Sequence, residues 1–339
     1  MNAPLNRILA KGGPFIGLIL VIGLFSLPAE MRDVFPTYGN FRFVFIQTVL
    51  VAVGALGMTL IIVSGGIDLS VGSSIAFTSV VGALLIQRGW GPVAVTAAAI
   101  AAGGLIGLLN GAAIAGLRMV PFIITLGTLG IVRGSAKWLA SEQTVNYESS
   151  PINSWMNAPI VQFAAGGPAW LPGFLARLIE FLGKLPVAFW ATVALALFVS
   201  LLLRGTVFGR HVFALGSNEA TARLCGIPTR RLKILIYALA GCFFGLAGVF
   251  QLSRLGQGDP TAAVGLELDI IAAVIIGGAS LNGGVGTVLG SMIGALIMAV
   301  LRNASQQMGW GTPFQEIIIG LVIIVAVFLD RLRQGRRAA

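Results

Sequence analysis

The sequence predicts an all-α, polytopic integral membrane protein of about ten transmembrane helices. Three observations carry that prediction. Of 339 residues, 57% are hydrophobic and only 10% are charged, against about 25% charged in an ordinary soluble domain. Glycine, at 46 residues, is close to twice its usual ~7% share, and Gly-rich apolar sequence lets membrane helices pack backbone to backbone. Apolar segments of near-spanning length recur from end to end, and no polar stretch between them is long enough to bury a core of its own. The chain therefore reads as one membrane domain over residues 1–339.

The segments run 14–28, 43–63, 67–86, 92–116, 121–139, 185–203, 233–253, 268–280, 285–301 and 314–329. The first follows Arg7 and Lys11 and imitates a signal peptide, but no small-x-small cleavage site follows it, so it is expected to remain as the first helix. Those at 14–28, 268–280 and 285–301 fall short of the ~20 residues of a straight crossing and are expected to be tilted, broken or re-entrant. With a cytoplasmic N-terminus and ten crossings, Arg118, the run from Arg204 to Lys233 and the tail from Arg331 to Arg337 all fall inside, as the positive-inside rule requires. Both termini are then cytoplasmic.

Two connections are long. Residues 140–184, outside, are rich in proline and carry Trp155 and Trp170; they read as an irregular external loop with a short interfacial helix at "LPGFLARLIEFL". Residues 204–233, inside, are shorter, basic and helix-like. A faint self-similarity links "GGIDLSVGS" with "VGLELDIIAAV". Each puts an acid, Asp68 or Asp269, at the start of a span, with Asn110 or Asn303 downstream. The two spans start from opposite sides, which fits an inverted internal repeat and fits chance equally well.

No enzyme signature is present. The single histidine, His211, lies in the basic inner loop, which leaves no His-rich metal site and no Ser-His-Asp set. No phosphate-binding G-x-x-x-x-G-K-[ST] occurs, so no ATP hydrolysis and no cofactor is expected of this chain. The basic residues form no continuous stripe interleaved with aromatics, which argues against nucleic acid. Cys225 and Cys242 read as ordinary thiols. Gly103, Gly107 and Gly111, then Gly241, Gly245 and Gly248, then Gly286, Gly290 and Gly294 mark faces for close helix packing, or a pathway lined by backbone. Asp68, behind two glycines, is expected to cap a helix starting at Leu69, to partner a cation or to touch a ligand, because an acid at membrane depth is costly without a role.

Four stretches, "SGGIDLSVGS", "GLLNGAAIAGLRMVPFIITLGTLGIVRG", "FALGSNEATARLCGIPTRRLKILIY" and "GLELDIIAAVIIGGASLNGGVGTVLGSMIGALI", resemble in sequence and order the permease subunits of ABC monosaccharide importers of the ribose, xylose, arabinose and galactoside type. The resemblance covers residues 43–330. The wider relatives that carry branched-chain amino acids lack this form of the Gly-Gly-Ile-Asp-Leu-Ser segment.

The resemblance implies an inner-membrane permease that works as a homodimer or pseudo-symmetric pair. A cytoplasmic ABC ATPase would drive it, and a periplasmic sugar-binding protein would supply it. It also implies a coupling helix at "GSNEATARLCGI", with Ser217, Asn218, Glu219, Ala220, Arg223 and Gly226 as contacts to the ATPase. Residue physics agrees: Asn218 is a good N-cap, Glu219 and Arg223 form an i,i+4 pair, and Gly226 with Pro228 stops the helix. The competing reading is an ordinary basic loop held by anionic membrane lipid. Where the general importer motif has an alanine pair, this chain has Ala220, Thr221, Ala222, so the motif alone does not fix the docking contacts.

For the translocation pathway the candidates are Asp68, Ser70, Ser73, Asn110, Thr125, Thr128, Asp269, Ser280 and Asn282, each also readable as a polar packing group. Within the superfamily the cargo could instead be a branched-chain amino acid, a nucleoside or a signalling sugar. The alternative from another class is a secondary transporter coupled to an ion through Asp68 or Asp269. A passive channel lacks a filter or a ring of like charge.

Overall fold

The computed structural model describes residues 3–29, 31–161 and 173–338. Its helices are α1 (Ala3–Ser26), α2 (Tyr38–Val63), α3 (Val71–Gln87), α4 (Pro92–Leu117), α5 (Pro121–Leu139), α6 (Ser154–Asn157), α7 (Gly173–Gly183), α8 (Val187–Gly205), α9 (Val207–Ser217), α10 (Glu219–Leu224), α11 (Thr229–Leu255), α12 (Leu266–Ile276), α13 (Val288–Gln307) and α14 (Thr312–Ala338). Each of the ten apolar segments coincides with one helix. Among the described residues, α2, α4, α8, α11 and α13 are long and apolar enough to cross a membrane, and α1, α3 and α14 hold shorter apolar stretches.

The centre of the bundle is α2. Every residue from Thr48 to Val63 is buried, as expected of a helix apolar all round. On one side lies α11, packed against α4, and on the other α13, packed against α12. Both outer pairs meet through the glycines singled out above. A Cβ at Gly103 would collide with the Gly241 carbonyl, one at Gly107 with the Tyr237 carbonyl, and one at Gly294 with the Ala273 carbonyl. Close packing is thus the use of these glycine faces.

Two ends of the bundle follow from cross-links. At one end, Asn40 and Gln307 are hydrogen-bonded. There Val145–Asn146 (β1) also pairs antiparallel with Gln257–Gly258 (β2). At this end the 140–184 connection is tied to α11, because Ser253 Oγ donates to Ile152 O at 2.6 Å and accepts from Met156 N at 3.0 Å. Burial pushes the Tyr147 phenol up to about 12, so at neutral pH it stays protonated and donates to Asn153 Oδ1 at 2.6 Å. The expected interfacial helix is α7, and its Phe181 packs edge-on against Tyr38 and Phe45. Trp170, Pro168 and Pro172 of this loop lie outside the described residues. At the opposite end the Gly284 amide donates to Val63 O at 2.9 Å, beside Gly216 at the end of α9.

Of the three segments expected to be tilted, broken or re-entrant, 285–301 is instead part of α13, whose 20 residues are long enough to cross, and 14–28 is part of the 24-residue α1; only α12 is short. Its 11 residues rise only about 16 Å at ~1.5 Å per residue, half a crossing. It is preceded by irregular chain over 256–265, in which Gly256, Ala263 and Gly265 have positive φ.

Candidate functional site

The joint between α2 and α3 holds the first group of predicted residues. Gly65, at φ +85°, closes α2 in the left-handed region, with its amide on Ile62 O and that of Gly66 on Ile61 O. Any side chain at Gly66 would strike the Tyr237 hydroxyl. The two glycines before Asp68 therefore do different jobs: one turns the chain, and the other lets a tyrosine approach.

Beyond them Asp68 is buried, with 1% of its surface exposed. Its Oδ1 accepts from Ser70 N at 2.8 Å and Ser70 Oγ at 2.6 Å, and its Oδ2 accepts from Asn110 Nδ2 at 3.3 Å. Asn110 Nδ2 also donates to Ser70 Oγ at 3.0 Å, and Thr128 Oγ1 donates to Asn110 Oδ1 at 2.6 Å. The hydroxyls of Thr125 and Tyr237 approach Ile67 O at 3.4 and 3.3 Å, and Ser73 Oγ donates to Ser70 O at 2.8 Å. Six candidates from three separate stretches of sequence thus form one knot joining α3, α4, α5 and α11.

The expected cap is not formed as stated. α3 starts at Val71, not Leu69, and its N-cap Ser70 makes no side-chain capping bond. Asp68 instead closes a two-residue turn onto the Ser70 amide, a competing local bond open to any aspartate. Among the described residues no cation lies within ion-pair distance of Asp68, and its partners are neutral donors.

The remaining candidates sit elsewhere. Asp269, on α12, is fully buried and pairs with Arg302 of α13. Its Oδ1 has no partner. Ser280 and Asn282 lie in the 277–287 turn at the Val63 end, where Asn282 N donates to Ser280 Oγ at 3.2 Å.

The 204–233 connection folds as its residues predict. Asn218 Oδ1 accepts from Thr221 N at 2.9 Å and caps α10. Glu219 pairs with Arg223 at 3.6 Å, and Gly226, at φ +82°, ends the helix. Ser217 abuts Gly284, and Ala220 is exposed. Lys233 adds a second cation on Glu219 at 2.7 Å, and Leu224 stands 89% exposed. Beside α10 a cavity of about 730 Å³ is lined by Arg118, Glu219, Arg223, Arg230 and Lys233 among others.

Sequence reasoning missed Tyr237, Lys233, Arg302 and Leu224. The guanidinium of Arg302 in an apolar span was a readable signal. The other three needed the fold.

The chain matches, over residues 40–327, the family described as branched-chain amino acid transport system / permease component. The chain belongs to that family. Among curated relatives of this permease, the ribose import permease protein RbsC of Escherichia coli K12 is 36% identical over 320 residues, covering 94% of this chain and 93% of its own. The corresponding protein of Bacillus subtilis is 36% identical, covering 97% and 95%. The L-arabinose ABC transporter permease protein AraH of Azospirillum brasilense is 34% identical, covering 95% and 89%. No solved structure matches the chain. With its apolar helices, the permease is a multi-pass protein of the inner membrane.

Proposed function

We propose that this chain is, over its whole length, the membrane subunit of an ATP-driven importer that brings a ribose-like monosaccharide into the cytoplasm. A separate cytoplasmic ABC ATPase hydrolyses the nucleotide, a periplasmic binding protein delivers the sugar at the 140–184 end, and two copies of the permease form the pathway. Both termini are cytoplasmic, with the knot at Asp68 and the 277–287 turn bordering the inner end of the pathway.

The observation that carries the reading is α10. A capped helix of six residues that buries Ala222 and holds a twice-paired glutamate leaves Leu224 outward, an apolar side chain that the permease's own packing does not use. A docking role explains it. The ion-coupled alternative would place its ion on Asp68 or Asp269, yet the first is held by three donors and the second by Arg302.

Capture of a duplicated-domain ABC ATPase by the detergent-solubilised permease tests this directly. Wild type should capture it, and a variant with residues 218–223 replaced by glycine and serine should not. Exposed ion pairs contribute only about 0–1 kcal/mol, so Glu219→Arg should leave the thermal midpoint within a few degrees of wild type while abolishing ATP-driven uptake. Equal capture by both chains, or sugar uptake by vesicles holding the permease alone, would remove the proposal.

A further inference from the structure

We infer that the cavity between α2, α11, α13 and the chain leading into α12 is a transit site for one neutral monosaccharide, separate from the Asp68 knot. This rests on the importer reading and locates where, within one protomer, the sugar is first held.

The cavity measures about 200 Å³ and is lined by Gln47, Gln251, Arg254, Ala263, Arg302 and Gln306 among others. It lies at the end that carries the 140–184 connection, opposite α10, because Gln251, Arg254, Arg302 and Gln306 all stand in the last two turns of their helices. Pockets for drug-sized ligands occupy about 300–1,000 Å³, so this one suits something smaller, the size of a single sugar ring. The wall contributed by 256–265 is the irregular segment, where Ala263 takes φ +61° without being glycine. Strained and irregular backbone of this kind is retained at sites that use it.

The chemistry of the lining selects the ligand. Arg302 is neutralised by Asp269. Arg254 is exposed and makes no hydrogen bond or ion pair among the described residues. The other polar groups are three carboxamides. Gln251 is 3% exposed and its Oε1 lacks any donor, and behind Arg302 the Asp269 Oδ1 lacks one too. A site built for an anion gathers donors only. Here a buried acceptor of the lining, Gln251 Oε1, waits for a hydrogen, and a hydroxyl group supplies it while accepting from Arg254 and the carboxamide N–H groups. Vicinal hydroxyls on a small ring answer both demands. Loose engagement through the exposed groups also suits a step that must release what it binds.

The test uses the complete importer in proteoliposomes and follows labelled D-ribose and L-arabinose uptake alongside ATP hydrolysis stimulated by the binding protein. Arg254→Gln and Gln251→Leu should lower initial uptake about tenfold, the effect of one lost hydrogen bond to a charged or buried group. Gln306→Trp, which fills the mouth, should do the same. Hydrolysis should stay within twofold of wild type in the two variants at exposed positions, Arg254→Gln and Gln306→Trp, which decide the case if Gln251→Leu lowers the amount of protein. Unchanged uptake in those two, or uptake and hydrolysis falling together, overturns the inference and leaves the importer reading intact. Wild-type vesicles that move no pentose with ATP overturn both. Uptake of labelled D-ribonate in preference to the neutral sugars overturns the neutral-ligand assignment.

Discussion

Asp68 and Asp269 are two buried carboxylates at broken points of the bundle, and they are held in opposite ways. Asp68 is enclosed by neutral donors from its own turn and from α4, and every bond in that knot has a geometric partner. Asp269 is met by one guanidinium, keeps an oxygen without a donor, and has a cavity on the far side of its partner. Complete satisfaction describes a fixed joint. The second carboxylate leaves an oxygen without a donor close to the cavity proposed above to take a ligand. Acid content alone, which linked the two sites in the sequence, did not separate these roles.

The contrast breaks first at Asp269. Removing one member of a buried pair strands the other and costs about 3–5 kcal/mol, so Asp269→Ala should lower the thermal midpoint in detergent sharply. Asp269→Asn combined with Arg302→Gln should recover most of the loss. If the single variant matches wild type, Arg302 already shares its charge with water and the pairing is incidental.

At Asp68 the expected effect is smaller and depends on pattern. Asp68→Asn keeps the bond to the Ser70 amide but sets two amide nitrogens against each other at Asn110, an unsatisfied arrangement worth about 1–3 kcal/mol. Exchanging the pair, Asp68→Asn with Asn110→Asp, restores a donor facing an acceptor and should regain part of the stability. No recovery would show that the charge at position 68 itself matters. Smallest is Thr128→Val, which removes one donor from Asn110 Oδ1 and should cost about 1 kcal/mol; a larger loss would mean that the knot acts as one cooperative unit.

Much of this architecture was legible beforehand, for physical reasons that differ by region. Hydropathy marks the helices because lipid imposes length and apolarity on each span. Local rules gave α10 in detail: a cap, an i,i+4 pair and a stop are all set within about ten residues. Asn110, Thr125 and Thr128 could be picked as polar residues in apolar spans, but not as neighbours of Asp68, since their meeting depends on how α4 and α5 turn against α3. The expected cap at Leu69 differed because an aspartate can bond to the amide two residues on as readily as to a helix end. Arg302 is readable as a cation in an apolar span, but its partner Asp269 is set only by how α12 packs on α13.

One contact at the Val63 end reaches beyond packing. Gly216, Gly283 and Gly284 bring the end of α9, the 277–287 turn and the last residue of α2 together with almost nothing but main chain between them. Main chain cannot change rotamer. If α10 is the docking helix proposed above, a force applied there would meet a linkage with little slack between α9 and the central helix. The same stiffness makes the junction intolerant of growth: any side chain at position 216 would have to displace the Val63 carbonyl, and with it the lower bearing of the whole bundle.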